Sequence, residues 1–123
     1  MSRVFVIALM IFCHIVDDFH LQGILINMKQ KKWWREQTNK PMYQYDWVIA
    51  LMIHSMSWSF MILLPIAIYQ NFNVGANYVI VFFINALIHG IVDHLKANRF
   101  KINLIEDQTA HFIQIAITAI IML

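Results

Sequence analysis

The sequence predicts an all-α fold, a four-span transmembrane helix bundle built from two parallel helical-hairpin repeats. Three observations carry that prediction. Of 123 residues, 60% are hydrophobic and only 13% charged, with a mean hydropathy of +0.60; in a soluble domain about a quarter are charged. A soluble domain this small has too little interior to hide so much apolar surface. The apolar residues also fall into four runs of membrane-crossing length. Finally, two runs carry the same polar spacing, His14-x-x-x-Asp18 and His89-x-x-x-Asp93. The length fits one domain, residues 1–123. The single Cys13 excludes an intramolecular disulfide.

The first span is expected from about Arg3 to Leu25. Its start could pass for a signal peptide, with Arg3 before an apolar run, but no small-x-small cleavage site follows. The segment is therefore expected to be retained. His14, Asp18 and Gln22 form an i, i+4, i+8 stripe, with Asp17 alongside, and such a stripe must face protein or water. A basic, aromatic connector follows, Lys29-Gln-Lys-Lys-Trp-Trp-Arg35 onward, with Pro41, Tyr43 and Tyr45. Its mixture could mimic a nucleic-acid patch. Next to a span it reads as a membrane-surface segment, and no nucleic-acid partner is expected.

The second span is expected over about Trp47 to Tyr69, with His54 as its one ionisable residue. Pro65 is tolerable where neighbours satisfy the freed carbonyl. An uncharged turn, Gln70 to Asn77, leads to the third span, about Tyr78 to Leu95. There Asn85, His89 and Asp93 recur every four residues, with Lys96 just beyond. A short basic turn precedes the fourth span, about Leu104 to Leu123, where Asp107, His111, Gln114 and Thr118 share a face.

Charge placement predicts orientation. Eight of the nine Lys and Arg residues fall in Lys29–Lys40 and Lys96–Lys101. Both stretches join spans on one side, which the positive-inside rule makes cytoplasmic, leaving both termini outside an inner (cytoplasmic) membrane. Each half of the chain then reads span with His-x-x-x-Asp, basic connector, span with one histidine. His14, Asp18 and His54 answer His89, Asp93 and His111, although Asp107 has no counterpart at Ala50. Two hairpins of equal orientation imply a parallel repeat.

Imidazoles and carboxylates at one depth of four helices are how metal sites are built in bundles. His54 and His111 each lie about seven residues, or ~10 Å, inside their spans. The candidate metal ligands are His14, Asp18, His54, His89, Asp93, Asp107 and His111, with Asp17 competing with Asp18 for the first motif. Asp18, Asp93, Asp107 and Lys96 are the candidate catalytic groups, Lys96 either steering an anionic headgroup or lying at the membrane interface. The donor set suits one or two divalent ions, zinc first and manganese or iron next. The competing expectation is a hydrogen-bonded polar core or proton path. His20 and His94, outside the repeat, read as packing residues.

The order of Asp18-Phe-x-Leu-Gln22, His54, His89-x-x-x-Asp93-x-x-Lys96 and Asp107-Gln108-x-x-His111 resembles a family of small bacterial and phage membrane proteins catalogued as domain of unknown function 3307. The resemblance covers nearly the whole chain. It implies an integral membrane fold with a shared polar site, adds Gln22, Lys96 and Gln108 to that site, and brings no activity. A looser likeness to membrane-bound metal-dependent hydrolases rests on His/Asp motifs in short spans. The expected function is a metal-dependent hydrolase acting on a lipid-linked or membrane-delivered phosphate or ester. Two alternatives stand beside it. One is a non-enzymatic ion, proton or small-solute transporter component. The other is a phage accessory protein that binds a host membrane protein. Expected partners are the lipid bilayer, an anionic substrate, and a second copy or a host membrane protein.

Overall fold

Ser2 opens the first helix by accepting a hydrogen bond from the Phe5 amide on its side chain, which satisfies one of the free N–H groups of the first turn. The computed structural model describes residues 1–123, and every regular element is helical. α1 (Arg3–Val16) runs into a π-helical segment, Asp17–Leu21. Gly23, at φ +55°, ends that run by adopting the left-handed backbone. The short α2 (Leu25–Met28) and α3 (Lys31–Gln37) and a 3₁₀ turn (Pro41–Tyr43) form the connector. α4 (Asp46–Tyr69), α5 (Ala76–Ala97) and α6 (Leu104–Met122) complete the chain.

α4 runs for about 36 Å at 1.5 Å per residue, enough for the hydrocarbon core, and continues through Pro65. Asn71 and Phe72 take positive φ (52° and 58°), and the Phe72 amide donates back to Ala67 O at 2.7 Å. That reversal sends α5 back along α4. At Gly90 an added Cβ would meet Ser55 Oγ at 3.0 Å, so the missing side chain lets the two helices approach closely. α6 starts with a full capping box, Asn103 and Glu106 each bonding the other's amide.

α1 packs on α4, α4 on α5, α5 on α6, and α6 on α1, a closed ring of four helices. One half of its interior is apolar, with Val6, Met10, Ile62, Ile66, Ile115 and Ala119 in one cluster. The other half, next to the basic connectors, is polar. Both chain ends lie at the apolar end, where Gln70 donates to Met122 O. The outside is apolar too: Phe12, Phe60, Ile84, Leu87, Ile113 and Ile120 are all exposed. Apolar exposure spread over so much of a surface fits contact with a membrane or another protein.

Three helices, not the four expected, are long and apolar enough to cross a membrane: Arg3–Leu21, Pro41–Tyr69 and Ala76–Ala97. α6 falls short because Glu106, Asp107, Gln108, His111 and Gln114 dilute its apolar residues. It is long enough, but its polar face is covered by α1 and α5. The first span also stops earlier than the expected Leu25, because the chain turns at Gln22–Gly23.

Candidate metal centre

The polar half of the bundle closes on a group of four donors. His54 Nε2 lies 3.3 Å from Asp18 Oδ1, 3.2 Å from Asp93 Oδ2 and 3.0 Å from His89 Nε2. His89 Nε2 lies 3.9 Å from Asp18 Oδ1 and 3.7 Å from Asp93 Oδ2. Asp18 comes from the π segment, His54 from α4, and His89 and Asp93 from successive turns of α5. All four are buried, and their donor atoms lie near enough to one another to hold a metal ion.

The spacing can be tested against coordination chemistry. Four tetrahedral donors at about 2.1 Å from a zinc ion stand about 3.4 Å apart. The five separations here, 3.0 to 3.9 Å, bracket that value. Two imidazole nitrogens face each other at 3.0 Å, so either one donates to the other or both turn lone pairs towards one cation. His54 Nδ1 and Asp17 Oδ2, both buried and without a hydrogen-bond partner, face each other at 3.9 Å. A carboxylate behind a histidine is the common way of orienting an imidazole that binds metal through its other nitrogen.

Asp17 and Asp18 therefore divide the first motif between them. Asp18 faces the donors, while Asp17 accepts from Ser57 Oγ at 2.6 Å and backs His54. In the π segment both consecutive carboxylates are buried. Short π turns are frequent at functional sites.

A second group adjoins the first. His111 Nε2 lies 3.3 Å from Asp107 Oδ1 and 3.4 Å from Asp93 Oδ1, and Asp18, Asp107 and His111 form another buried donor set. Asp107 Oδ1 and both His111 nitrogens lack hydrogen-bond partners although buried. Orphaned buried polar atoms are uncommon enough to need a cause. Asp93 faces both groups, Oδ2 towards His54 and Oδ1 towards His111.

His14 takes a different role from the expected one of ligand. Its Nδ1 accepts from Trp58 Nε1 at 2.7 Å and its Nε2 donates to Gln108 Oε1 at 2.9 Å, so both ring nitrogens are occupied. Trp58 stacks on His89 with ring centroids 4.3 Å apart. Gln108 bridges the two groups by donating to Asp18 Oδ2 and Asp107 Oδ2, both at 3.0 Å. Gln22 instead bonds the Asp18 carbonyl, outside the donor sets. Lys96 is not free to steer an anion, because its Nζ lies 3.0 Å from Asp107 Oδ2. His94 stacks on Trp47, as a packing residue would, and His20 is exposed.

Sequence reasoning missed two members. Lys29 was expected on the membrane surface, yet it is 5% exposed and its Nζ lies 2.6 Å from Asp93 Oδ2. Trp58 sits at the floor of the histidines. A faint signal existed for Trp58, which follows His54 by four residues on the same helix face. None existed for Lys29, which stands in a run of similar lysines. Below this level Asn85, Gln114 and Thr118 bond to one another, so the stripes of α5 and α6 continue as an ordinary polar layer.

Compared with protein families, curated proteins and solved structures, the chain matches none.

Proposed function

We propose that this cluster is a divalent-metal centre, zinc first and manganese or iron as alternatives, in a membrane-embedded hydrolase of lipid-linked or membrane-delivered phosphates or esters. The near-tetrahedral spacing of Asp18, His54, His89 and Asp93 carries the metal reading. Charge supports it. Asp17, Asp18, Asp93 and Asp107 are buried beside two cations, Lys29 and Lys96, an excess of two carboxylates that a divalent ion would offset. Asp18, Asp107 and His111 would hold a second ion where one binds.

Such an ion, when bound, supplies a water acidified towards neutral pH. With an ion only at the first group, Asp107 and His111, at 3.3 Å, are the pair left to receive a proton. Lys96, whose side chain is 32% exposed, marks the way to solvent at the connector end. In this reading that end faces the cytoplasm of an inner membrane, and both termini lie outside. The motifs Asp18-Phe-x-Leu-Gln22 and Asp107-Gln108-x-x-His111 support membership of the family of unknown function 3307.

The Lys29–Asp93 pair favours a second reading, a non-enzymatic ion or proton transporter component. Its ammonium already neutralises one ligand oxygen, as a displaceable counter-ion would. Metal analysis of purified protein, followed by turnover on a panel of lipid phosphates, separates the readings. Hydrolysis predicts at least one chelatable ion per chain and turnover that is lost with it. Bound ion without turnover favours transport, and no ion after supplementation with zinc, manganese and iron would overturn the metal reading.

A further inference from the structure

The outer face of α4 and α5 carries a groove of about 450 Å³, within the size range of small-molecule sites. Nine of its twelve lining residues are hydrophobic, including Leu51, Met52, Phe83, Leu87 and Ile91. Ser55 and Gly90 form its floor, where the helices meet closely. It lies behind the metal cluster and shares no residue with it.

At the connector end this groove meets a second cavity, of about 550 Å³, through one common residue, Trp47. That cavity is polar, and its charged lining is entirely basic: Lys31, Arg35 and Lys40, with Trp34, Tyr43 and Tyr45 beside them. The junction is ordered. Lys31 Nζ sits 4.4 Å over the Trp47 ring, and Trp47 stacks on His94 at 5.2 Å. Trp34 stacks on Tyr43. A hydrogen bond from the Lys31 amide to Asn98 ties this connector to the end of α5.

Two cavities that adjoin at Trp47, one apolar along α4 and α5 and the other cationic at the connector, together have the polarity profile of one kind of molecule. We infer that the α4–α5 groove and the α3 cup together bind an anionic glycerophospholipid, one acyl chain along Leu51, Leu87 and Ile91 and the phosphate among Lys31, Arg35 and Lys40. The aromatic rings at the junction suit the headgroup–hydrocarbon boundary. Charge complementarity argues for this occupant over a helix of a second copy, whose apolar face would leave the three cations without partners.

Native mass spectrometry of the detergent-purified chain tests this, with dioleoyl-phosphatidylglycerol, dioleoyl-phosphatidylcholine and the chain-free headgroup glycerophosphoglycerol as probes. One phosphatidylglycerol should be retained per chain, phosphatidylcholine more weakly, and the headgroup alone not at all. Lys31→Ala with Arg35→Ala should weaken phosphatidylglycerol about 30-fold, each basic residue near a membrane surface contributing roughly fivefold. Leu87→Trp, at an exposed groove position, should block the chain and abolish retention. Lys32→Ala and Ile84→Trp, outside both cavities, should leave binding unchanged. Equal retention of both lipids, retention of the bare headgroup, or an unaffected Leu87→Trp variant would overturn the proposal. So would a dimer mass that Leu87→Trp removes, which would assign the groove to a second copy.

Discussion

Lys29 Nζ lies 2.6 Å from Asp93 Oδ2, with the two side chains 6% and 1% exposed, although 64 residues separate them. The pair ties the connector to the polar end of α5. Breaking such a pair from one side strands a buried charge, at a cost of about 3–5 kcal/mol. Lys29→Met should therefore lower the melting temperature sharply in detergent, and Lys29→Met with Asp93→Asn should recover most of the loss. If a divalent ion binds beside Asp93, zinc should also restabilise Lys29→Met. A single variant as stable as the native protein would show that the pair is not a buried ion pair.

Asp93→Asn keeps the size of the side chain and removes a negative charge that a bound cation requires. In a metal centre it should greatly reduce occupancy and abolish the stability response to chelator. In a polar core without metal the native protein holds no ion and ignores chelator, and the variant loses only the stability that the stranded Lys29 ammonium costs. Metal content and thermal unfolding, measured together with and without chelator, distinguish the outcomes.

The histidines should separate by role. His54→Gln and His89→Gln remove nitrogens that face the four-donor group and should abolish metal binding. His14→Gln should keep it, because both nitrogens of His14 are bonded within the protein. Metal analysis of the three variants checks this, and loss of metal from His14→Gln alone would invert the assignment.

Trp58→Phe keeps a buried ring but removes the donor to His14 Nδ1. An unpaired buried acceptor costs about 1–3 kcal/mol. The variant should unfold at lower temperature, and together with His14→Phe it should lose less than the sum of the two single changes, since the Trp58–His14 bond counts in both while the Gln108 bond is lost only with His14. Additive losses in that double-mutant cycle would show that the two side chains act independently.

Asn39 and Asn73 are exposed at opposite ends of the bundle. In a Cys13→Ser background, a membrane-impermeant thiol reagent added from the periplasmic side should label Asn73→Cys and spare Asn39→Cys. Labelling of Asn39→Cys would reverse the orientation.

The helical class, three of the four expected spans and the grouping of His54, His89, Asp93 and His111 were legible from periodicity. Residues four apart share a helix face whatever surrounds them. That three helices are long and apolar enough to cross a membrane was legible too, because both properties are read from composition. Periodicity could not rank the members of a stripe. It could not say that His14 spends both nitrogens on Trp58 and Gln108, or that the polar face of α6, the least apolar of the four long helices, is sheltered by α1 and α5. Nor could it separate Asp17 from Asp18, since that division depends on a π turn and on which side chains of α4 each carboxylate meets. Lys29 is the clearest case. Among the lysines of its connector nothing local distinguishes it, and only the folding of α5 brings an aspartate within reach and makes its burial tolerable.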